Sequence, residues 1–241
     1  MPLLFVLVTM YKLKYGCTVH HKGVSNLLLN EFESKEMLRQ AGIPVVETRP
    51  AKSQQAAVAA AKEIGFPVVM KIVSPDISHK SDVSGVRLGL TSATQVGKAY
   101  RDIINSVKTR VPDARIEGVT VQAMANAGVE VIIGMTKDAQ FGPVMMFGLG
   151  GILVEILKDV SFRLIPLERK DAAEMIREIK GYALLEGVRG QPPVNVAALE
   201  QLIVKVSDFI DKNPRIKELD LNPLIAAEDG ITAVDARIVL E

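Results

Sequence analysis

Between Phe66 and Val86 the chain reads FPVVMKIVSPDISHKSDVSGV, a short apolar strand that carries one lysine and opens into a polar loop holding His79. An ammonium within a strand and an imidazole eight residues later suit phosphate chemistry. The first can meet an anion, and the second, neutral near physiological pH, can act as nucleophile, acid or base. The β-branched, proline-bounded run from Phe66 to Val73 places Val69, Lys71 and Val73 on one face and Val68, Met70 and Ile72 on the other. Lys71 therefore sits among valines and must either snorkel to water from an edge strand or find an anion, because an unpaired buried charge costs several kcal/mol. The run from Ser74 to Gly85, punctuated by Pro75 and Gly85, is too polar and too broken for a strand or a helix and reads as an exposed loop. His79 on such a loop is either a surface residue or a working one.

Two further patterns carry chemistry. Gly148-Leu149-Gly150-Gly151 follows an expected strand, Pro143 to Phe147, and precedes an expected helical turn, Ile152 to Leu157. No Gly-Lys-Ser/Thr follows it, so it is not a Walker A loop, and the spacing is not GxGxxG. Its glycines would let backbone amides approach an anion, or would simply make a tight turn. Near the C-terminus, LDLNPL and VDAR lie on an expected hairpin, Ile216 to Val239. With Ala227-Glu228-Asp229-Gly230 as its loop, residues whose numbers sum to 457 face each other, so Asn222 meets Asp235 and Asp220 meets Arg237. Such partners have Cβ atoms roughly 4.5–5.5 Å apart.

The elements that must position these residues are legible along the chain. Asn30 is an N-cap with Glu33 three residues on, opening a helix through Arg39 that Ala41-Gly42-Ile43-Pro44 ends. A second helix is expected from Ser53 to Ile64, a strand at Gly85 to Leu90 and a helix at Ala93 to Val107 with Val96, Tyr100, Ile103 and Val107 on one face. Strands are expected at Ile116 to Met124 and Val129 to Met135, and helices at Asp171 to Lys180 and Asn195 to Ile210. The pattern predicts an α+β fold of two lobes, residues 26–122 and 123–241, behind an N-terminal extension, residues 1–25.

Composition excludes several classes. A net charge of +1, 5% aromatic residues and no tryptophan give neither a basic nucleic-acid face nor a stacking platform. The single cysteine, Cys17, rules out an intrachain disulfide and fits a reducing cytoplasm. MPLLFVLVTM is too short to span a bilayer and lacks a basic start and a cleavage site, so neither signal peptide nor membrane segment is expected, and Met10 is an alternative start. His20 and His21 alone make a poor metal site.

Lys71, the His79 loop, Gly148–Gly151, LDLNPL and VDAR, in that order over about residues 26–241, resemble the ATP-grasp beta subunit of ADP-forming acetyl-CoA synthetase. The resemblance implies an ATP-grasp fold with nucleotide between the two lobes. It implies a reaction in which acyl-CoA, ADP and phosphate give acid, CoA and ATP, with the phosphoryl group travelling on histidines. His79 then matches the transient phosphohistidine, and Lys71 the lysine on the nucleotide phosphates. Val121, Gln122, Ala123 and Met124 match a hinge whose backbone pairs with the adenine edge. Glu33 and Lys35 occupy the start motif, where Glu33 either helps position nucleotide or caps its helix. Glu130 is a ribose contact or a solvated strand residue. Gly148, Gly150 and Gly151 contact the phosphoryl group or the His79 loop. Glu155, Asp159 and Arg163 match without an assigned role. Asn222 and Asp235 match magnesium ligands, with water and nucleotide phosphate completing the shell. Asp220 either pairs with Arg237 or orients His79 after the loop swings inward.

The cofactors implied are ATP or ADP and Mg²⁺. The partner implied is a CoA-binding alpha subunit that carries the acyl chemistry, in an α₂β₂ heterotetramer, so the isolated chain binds nucleotide without turning over. A succinyl-CoA ligase beta subunit would share the lobes and the Asn222/Asp235 pair, but His79 argues against it. A noncatalytic ATP-grasp module is the other alternative, opposed by the presence together of His79, Lys71 and the metal pair. A carboxylate–amine ligase would need no mobile histidine.

Overall fold

The computed structural model describes residues 26–77, 79–151, 158–188, 190 and 192–241. The extension with Cys17, His20 and His21, and the turn expected at 152–157 with Glu155, lie outside the described residues. In chain order the elements are β1 (Leu27–Leu28), α1 (Glu31–Gln40), β2 (Thr48–Ala51), α2 (Gln54–Ile64), β3 (Val68–Val73), β4 (Val86–Leu90), α3 (Ala93–Arg110), β5 (Gly118–Ala123), β6 (Val129–Asp138), β7 (Gly142–Leu149), β8 (Val160–Leu164), α4 (Arg169–Glu178), α5 (Val196–Asp211), β9 (Ile216–Ala227), β10 (Gly230–Ala233) and β11 (Ala236–Leu240). A 3₁₀ turn spans Lys180–Leu184.

One compact unit comprises Asn30–Ala127 and Thr232–Asp235. Its antiparallel sheet runs β2-β5-β3-β4. The helices covering it begin where sequence chemistry dictates. Asn30 and Glu33 form a reciprocal capping box on α1, with bonds of 3.0 and 2.9 Å, and Ser53 and Ser92 cap α2 and α3. Gly65, at φ 93°, ends α2. Val96, Ala99, Ile103 and Val107 form the buried stripe of α3 and pack with Ala57 and Ala61 of α2 against Val68, Met70, Ile72, Val119 and Val121. Strand alternation therefore sends Lys71, Thr120 and Gln122 to the opposite face of the sheet.

The other unit comprises the described residues up to Leu29, Gly128–Ile231 and Ala236–Glu241. Its sheet runs β1-β11-β9-β6-β7-β8, with β10 added to β9. The helix α4 packs on α5, β7 and β8, burying Met175 and Ile176 as α5 buries Ile203 and Val206. β9 and β11 pair Leu221 with Ala236, Asp220 with Arg237, Leu219 with Ile238 and Glu218 with Val239, each pair summing to 457. Against β6, Leu224 faces Val131 but Leu221 faces Ile133, so Asn222 and Pro223 share a bulge. Only at such an irregularity does a proline, which offers no N–H, sit inside a strand paired on both sides.

Three expectations need correction. The C-terminal segment is not one hairpin: Val234 and Asp235 interrupt it between β10 and β11. Three short strands went unread, β1, β2 and β8, because two to five residues are too few for a periodic signal. The lobes also do not divide at residue 122: β1 pairs with β11 and so joins the C-terminal unit, residues 123–127 stay with the other, and Thr232–Asp235 return to it, where Val45 bridges Ala233.

Candidate functional site

α1 buries an unusual face: Glu31, Ser34, Lys35 and Leu38. Three of these four are polar, and they meet the polar face of the sheet. Lys35 is 0% exposed, and its Nζ donates to Glu31 Oε1 at 2.8 Å, Gln122 Oε1 at 2.8 Å and Thr48 Oγ1 at 3.2 Å. Lys71 is 6% exposed and donates to Glu31 Oε1 at 2.8 Å, Asp235 Oδ2 at 3.0 Å and the Val234 carbonyl at 3.3 Å. Lys80, next to His79, donates to Glu31 Oε2 and stands 4.0 Å from Asp235 Oδ2. Three ammoniums thus converge on one buried carboxylate, with Asp235 as second counter-ion.

Charge explains the protonation of this cluster. Burial alone would push the Glu31 carboxyl up, but Lys71, Lys80 and Lys35 outweigh it and hold it well below the usual carboxylate range. Burial likewise works against the Lys71 ammonium, yet Asp235 and Glu31 together keep its pKa above the ordinary value. Lys35, the most enclosed, loses that contest: burial brings it down to about 8, although Glu31 pulls the other way. Three lysines against two carboxylates leave one positive charge, and the partly open side of the cluster is the one formed by Lys80 and Asp235. Such an arrangement can receive a polyphosphate.

The cluster decides several readings. Lys71 is not an edge-strand lysine, since β3 lies between β5 and β4, and its ammonium is fully employed. A further anion could reach it only by exchange for a present acceptor. Glu33 is exposed and engaged in the capping box, whereas Glu31, two residues earlier, faces the lysines. The side chain of Gln122 is turned inward to Lys35. The Ala123 and Met124 amides already donate to the carbonyls of Glu47 at 3.0 Å and Pro67 at 3.4 Å, so neither is a spare donor for a purine edge. Sequence reasoning missed Glu31 and Lys80 as site residues. The available signal was a Glu31–Lys35 pair, four apart, sharing a helix face with Ser34 and Leu38 where an apolar stripe belongs.

His79 is exposed on its loop. Behind it, Ile77 is buried and Asp76 accepts from the Arg115 guanidinium at 2.8 and 3.1 Å and from its amide at 2.8 Å. Those bonds from Arg115 hold the Asp76 carboxyl down to about 2.

In the other unit the glycine cluster has a packing cause. Gly148 lies inside β7, between Ile132 and Val160, and a Cβ there would come within 2.8 Å of Val160 Cγ1. A Cβ on Gly150 would meet Glu130 Cβ at 2.9 Å, and its amide already donates to the Glu130 carbonyl at 2.7 Å. Gly151 turns the chain at φ 63°, beside the exposed Glu130. Asp159 is buried and accepts from the Lys180 and Gly181 amides at 2.8 and 2.7 Å, which makes it the cap of the 3₁₀ turn, and Arg163 pairs with Glu178 at 2.8 Å. Asp220 is half-buried opposite Arg237, whose guanidinium also lies 3.8 Å from Glu218; burial pushes the Glu218 carboxyl up. Among the described residues no group of three or more His, Cys, Asp or Glu side chains could hold a metal by itself. Magnesium bound with nucleotide needs only one or two protein oxygens, and the donor types of Asn222 and Asp235 fit that demand.

Comparison with known proteins places this geometry. The family model described as ATP-grasp domain matches residues 21–240. The chain belongs to the ATP-grasp family. It is 52% identical over 215 residues to the beta subunit of acetate–CoA ligase [ADP-forming] I of Pyrococcus furiosus, covering 89% of this chain and 93% of that one. It superposes with TM-score 0.87, at 48% identity, on the dinucleotide-forming acetyl-coenzyme A synthetase 1 of Ca. Korarchaeum cryptofilum in complex with coenzyme A, Ca-AMPCP and HgCl⁺, covering 97% of this chain and 98% of that one. A selenomethionine form of that synthetase, in complex with coenzyme A and Mg-AMPPCP, has its phosphohistidine segment pointing towards the nucleotide-binding site; the match has TM-score 0.78 at 47% identity, over 89% of this chain and 93% of that one. The ATP-grasp chain described here thus groups with beta subunits of ADP-forming acetate–CoA ligases.

Proposed function

We propose that this chain is the nucleotide-side subunit of an ADP-forming acetate–CoA ligase, passing a phosphoryl group from His79 to ADP. The observation that carries the reading is the convergence on Glu31 of Lys71 and of Lys80, the residue next to His79 in sequence, in a chain so similar to such beta subunits. Phosphoryl transfer asks for alignment and charge stabilisation more than for an acid–base pair. Lys71 exchanges Asp235 for a nucleotide phosphate oxygen and holds it. The P–N bond of phosphorylated His79, whose other ring nitrogen carries a proton, breaks as a terminal oxygen of ADP forms the new P–O bond, which leaves a neutral imidazole and ATP. Enclosure must keep water from the phosphohistidine, which would otherwise hydrolyse.

Asn222 and Asp235, next in sequence to the Leu221–Ala236 pair, are proposed as oxygen ligands for Mg²⁺, which when bound supplies further charge neutralisation on the phosphates. Asp220 is proposed to orient His79 in the transfer geometry. Glu130 is assigned to the ribose and the Gly151 turn to the phosphoryl group, both on family likeness supported by their adjacency. The purine is received at Gln122–Met124 by carbonyl oxygens, since the Ala123 and Met124 amides are taken.

The relative's beta designation supports an alpha partner that binds CoA and the acid; we propose an α₂β₂ assembly. Among the described residues no helix is long and apolar enough to cross a membrane; we propose a cytoplasmic location on the ground that the sequence has a single cysteine, which fits a reducing compartment. The test is incubation with Mg²⁺ and γ-labelled ATP, followed by phosphopeptide mass spectrometry under alkaline conditions. Acid-labile label on the His79 peptide, removed by ADP and absent from His79→Ala, is expected. An unlabelled chain that binds ATP and has been reconstituted with its alpha partner would refute the relay.

A further inference from the structure

The segment around His79 is secured at its two ends by different means. On the near side, Ile77 is buried and Asp76 is clasped by Arg115. On the far side, the Gly85 amide donates to the Lys80 carbonyl at 2.7 Å, the Asp82 amide to the His79 carbonyl at 3.2 Å and the Ser84 amide to the Ser81 carbonyl at 3.0 Å. These three are bonds of the segment to itself. Side chains of α3 also hold this far side, Ser106 Oγ donating to the Val83 carbonyl at 3.0 Å and the Arg110 guanidinium to the Asp82 carbonyl at 3.1 Å, while next to His79 itself the tie to the body of the unit is Lys80, through Glu31.

We propose that Lys80 is a positioning residue for His79: its pairing with the Glu31 carboxylate latches the loop, and this latch shares its anchor with the phosphate-handling Lys71. The proposal rests on the phosphoryl-relay reading above. Glu31 Oε1 is committed to Lys35 and Lys71, and Oε2 to Lys80. Of the three cations, Lys35 and Lys71 are enclosed, with 0% and 8% of their side chains exposed, while Lys80 is 22% exposed and carried on a loop. Lys80 is therefore the cation that can leave Glu31 at the smallest desolvation cost. Glu31 remains neutralised by the other two when it does.

The test compares Lys80→Met, Lys80→Arg and the parent by amide hydrogen exchange and by labelling of His79 from γ-labelled ATP and Mg²⁺, with nucleotide affinity measured alongside. Loss of one bond to a charged group should lower protection of the Asp82, Ser84 and Gly85 amides by about tenfold or more in Lys80→Met. Loosening the histidine should slow labelling by about 10- to 100-fold. Nucleotide affinity should change less than about threefold, below the effect of losing a direct charged contact. Lys80→Arg should restore both protection and labelling. Unchanged protection in Lys80→Met overturns the latch. A fall in affinity that matches the fall in labelling also overturns it, by making Lys80 a phosphate ligand. A parent that is never labelled, yet loses protection on Lys80→Met, defeats the relay while leaving the latch standing.

Discussion

Replacing Lys35 by methionine removes an ammonium that is wholly enclosed and keeps the length of the side chain. In the unfolded chain this lysine titrates near 10.5, and in the fold near 8. Between those values the unfolded chain holds a proton that the folded chain has released. Stability therefore rises with pH across the window, by at most about 1.4 kcal/mol per pH unit and about 3 kcal/mol in all. Below pH 8 both states are charged and the penalty of the buried ammonium is present in full. Methionine removes that penalty but leaves the acceptors on Gln122 and Thr48 without this donor, at about 1–3 kcal/mol each. At pH 7 the two effects oppose each other, and Lys35→Met should lie within about 2–3 kcal/mol of the parent. As pH rises to 10.5 the parent should gain about 3 kcal/mol relative to the variant. Lys71 lies above its ordinary value, so it loses stability only as pH rises beyond that window, and it is present in both proteins. Urea unfolding followed by circular dichroism at half-unit intervals from pH 7 to 10.5 measures the difference directly. Parallel stability curves for the two proteins would refute the assignment of a burial-depressed lysine at this position.

Three other perturbations have defined outcomes. Glu31→Gln removes the carboxylate on which three lysines converge and should cost about 3–5 kcal/mol near neutrality in urea unfolding. Because the Glu31 carboxyl titrates below its ordinary 4.5, its contribution is complete above that value and fades as pH falls, so the gap between variant and parent should close in acid. Gly150→Ala drives a Cβ against Glu130 and should lower the unfolding free energy by about 1–3 kcal/mol, without altering the pH dependence of the Lys35 cluster. Asp235→Asn should raise the Mg²⁺ concentration for half-maximal ADP binding by about tenfold or more, with metal-free ADP binding changed less, as read by calorimetry.

Local chemistry made much of the fold readable. The caps Asn30, Ser53 and Ser92, the stripe Val96–Ile103–Val107 and the alternation through β3 are short-range patterns, and the helices and strands they predict are present within a few residues. The 457 register was legible for the same reason, since a turn at Glu228–Asp229 sets it, and β11 keeps it beyond the break at Val234 and Asp235, as far as Val239. Glycine spacing gave the place of Gly148–Gly151 but not its cause, because the close approach of Glu130 and Val160 comes from other strands.

Residue types and their spacing by themselves pointed a strand lysine and a loop histidine to phosphate chemistry, the resemblance of the ordered motifs supplied the ATP-grasp expectation, and spacing set Asn222 opposite Asp235, which the structure instead leaves in the break between β10 and β11. Tertiary structure alone decided what the lysine does. Lys71, Lys35, Lys80, Glu31 and Asp235 come from a strand, a helix, a loop and the returning C-terminal segment, the bonded pair Lys71 and Asp235 standing 164 positions apart, and no local pattern couples them. Coulomb attraction in a buried, low-dielectric layer depends on distances that exist only after the chain has packed, so the identity of the shared anion, Glu31, belongs to the fold.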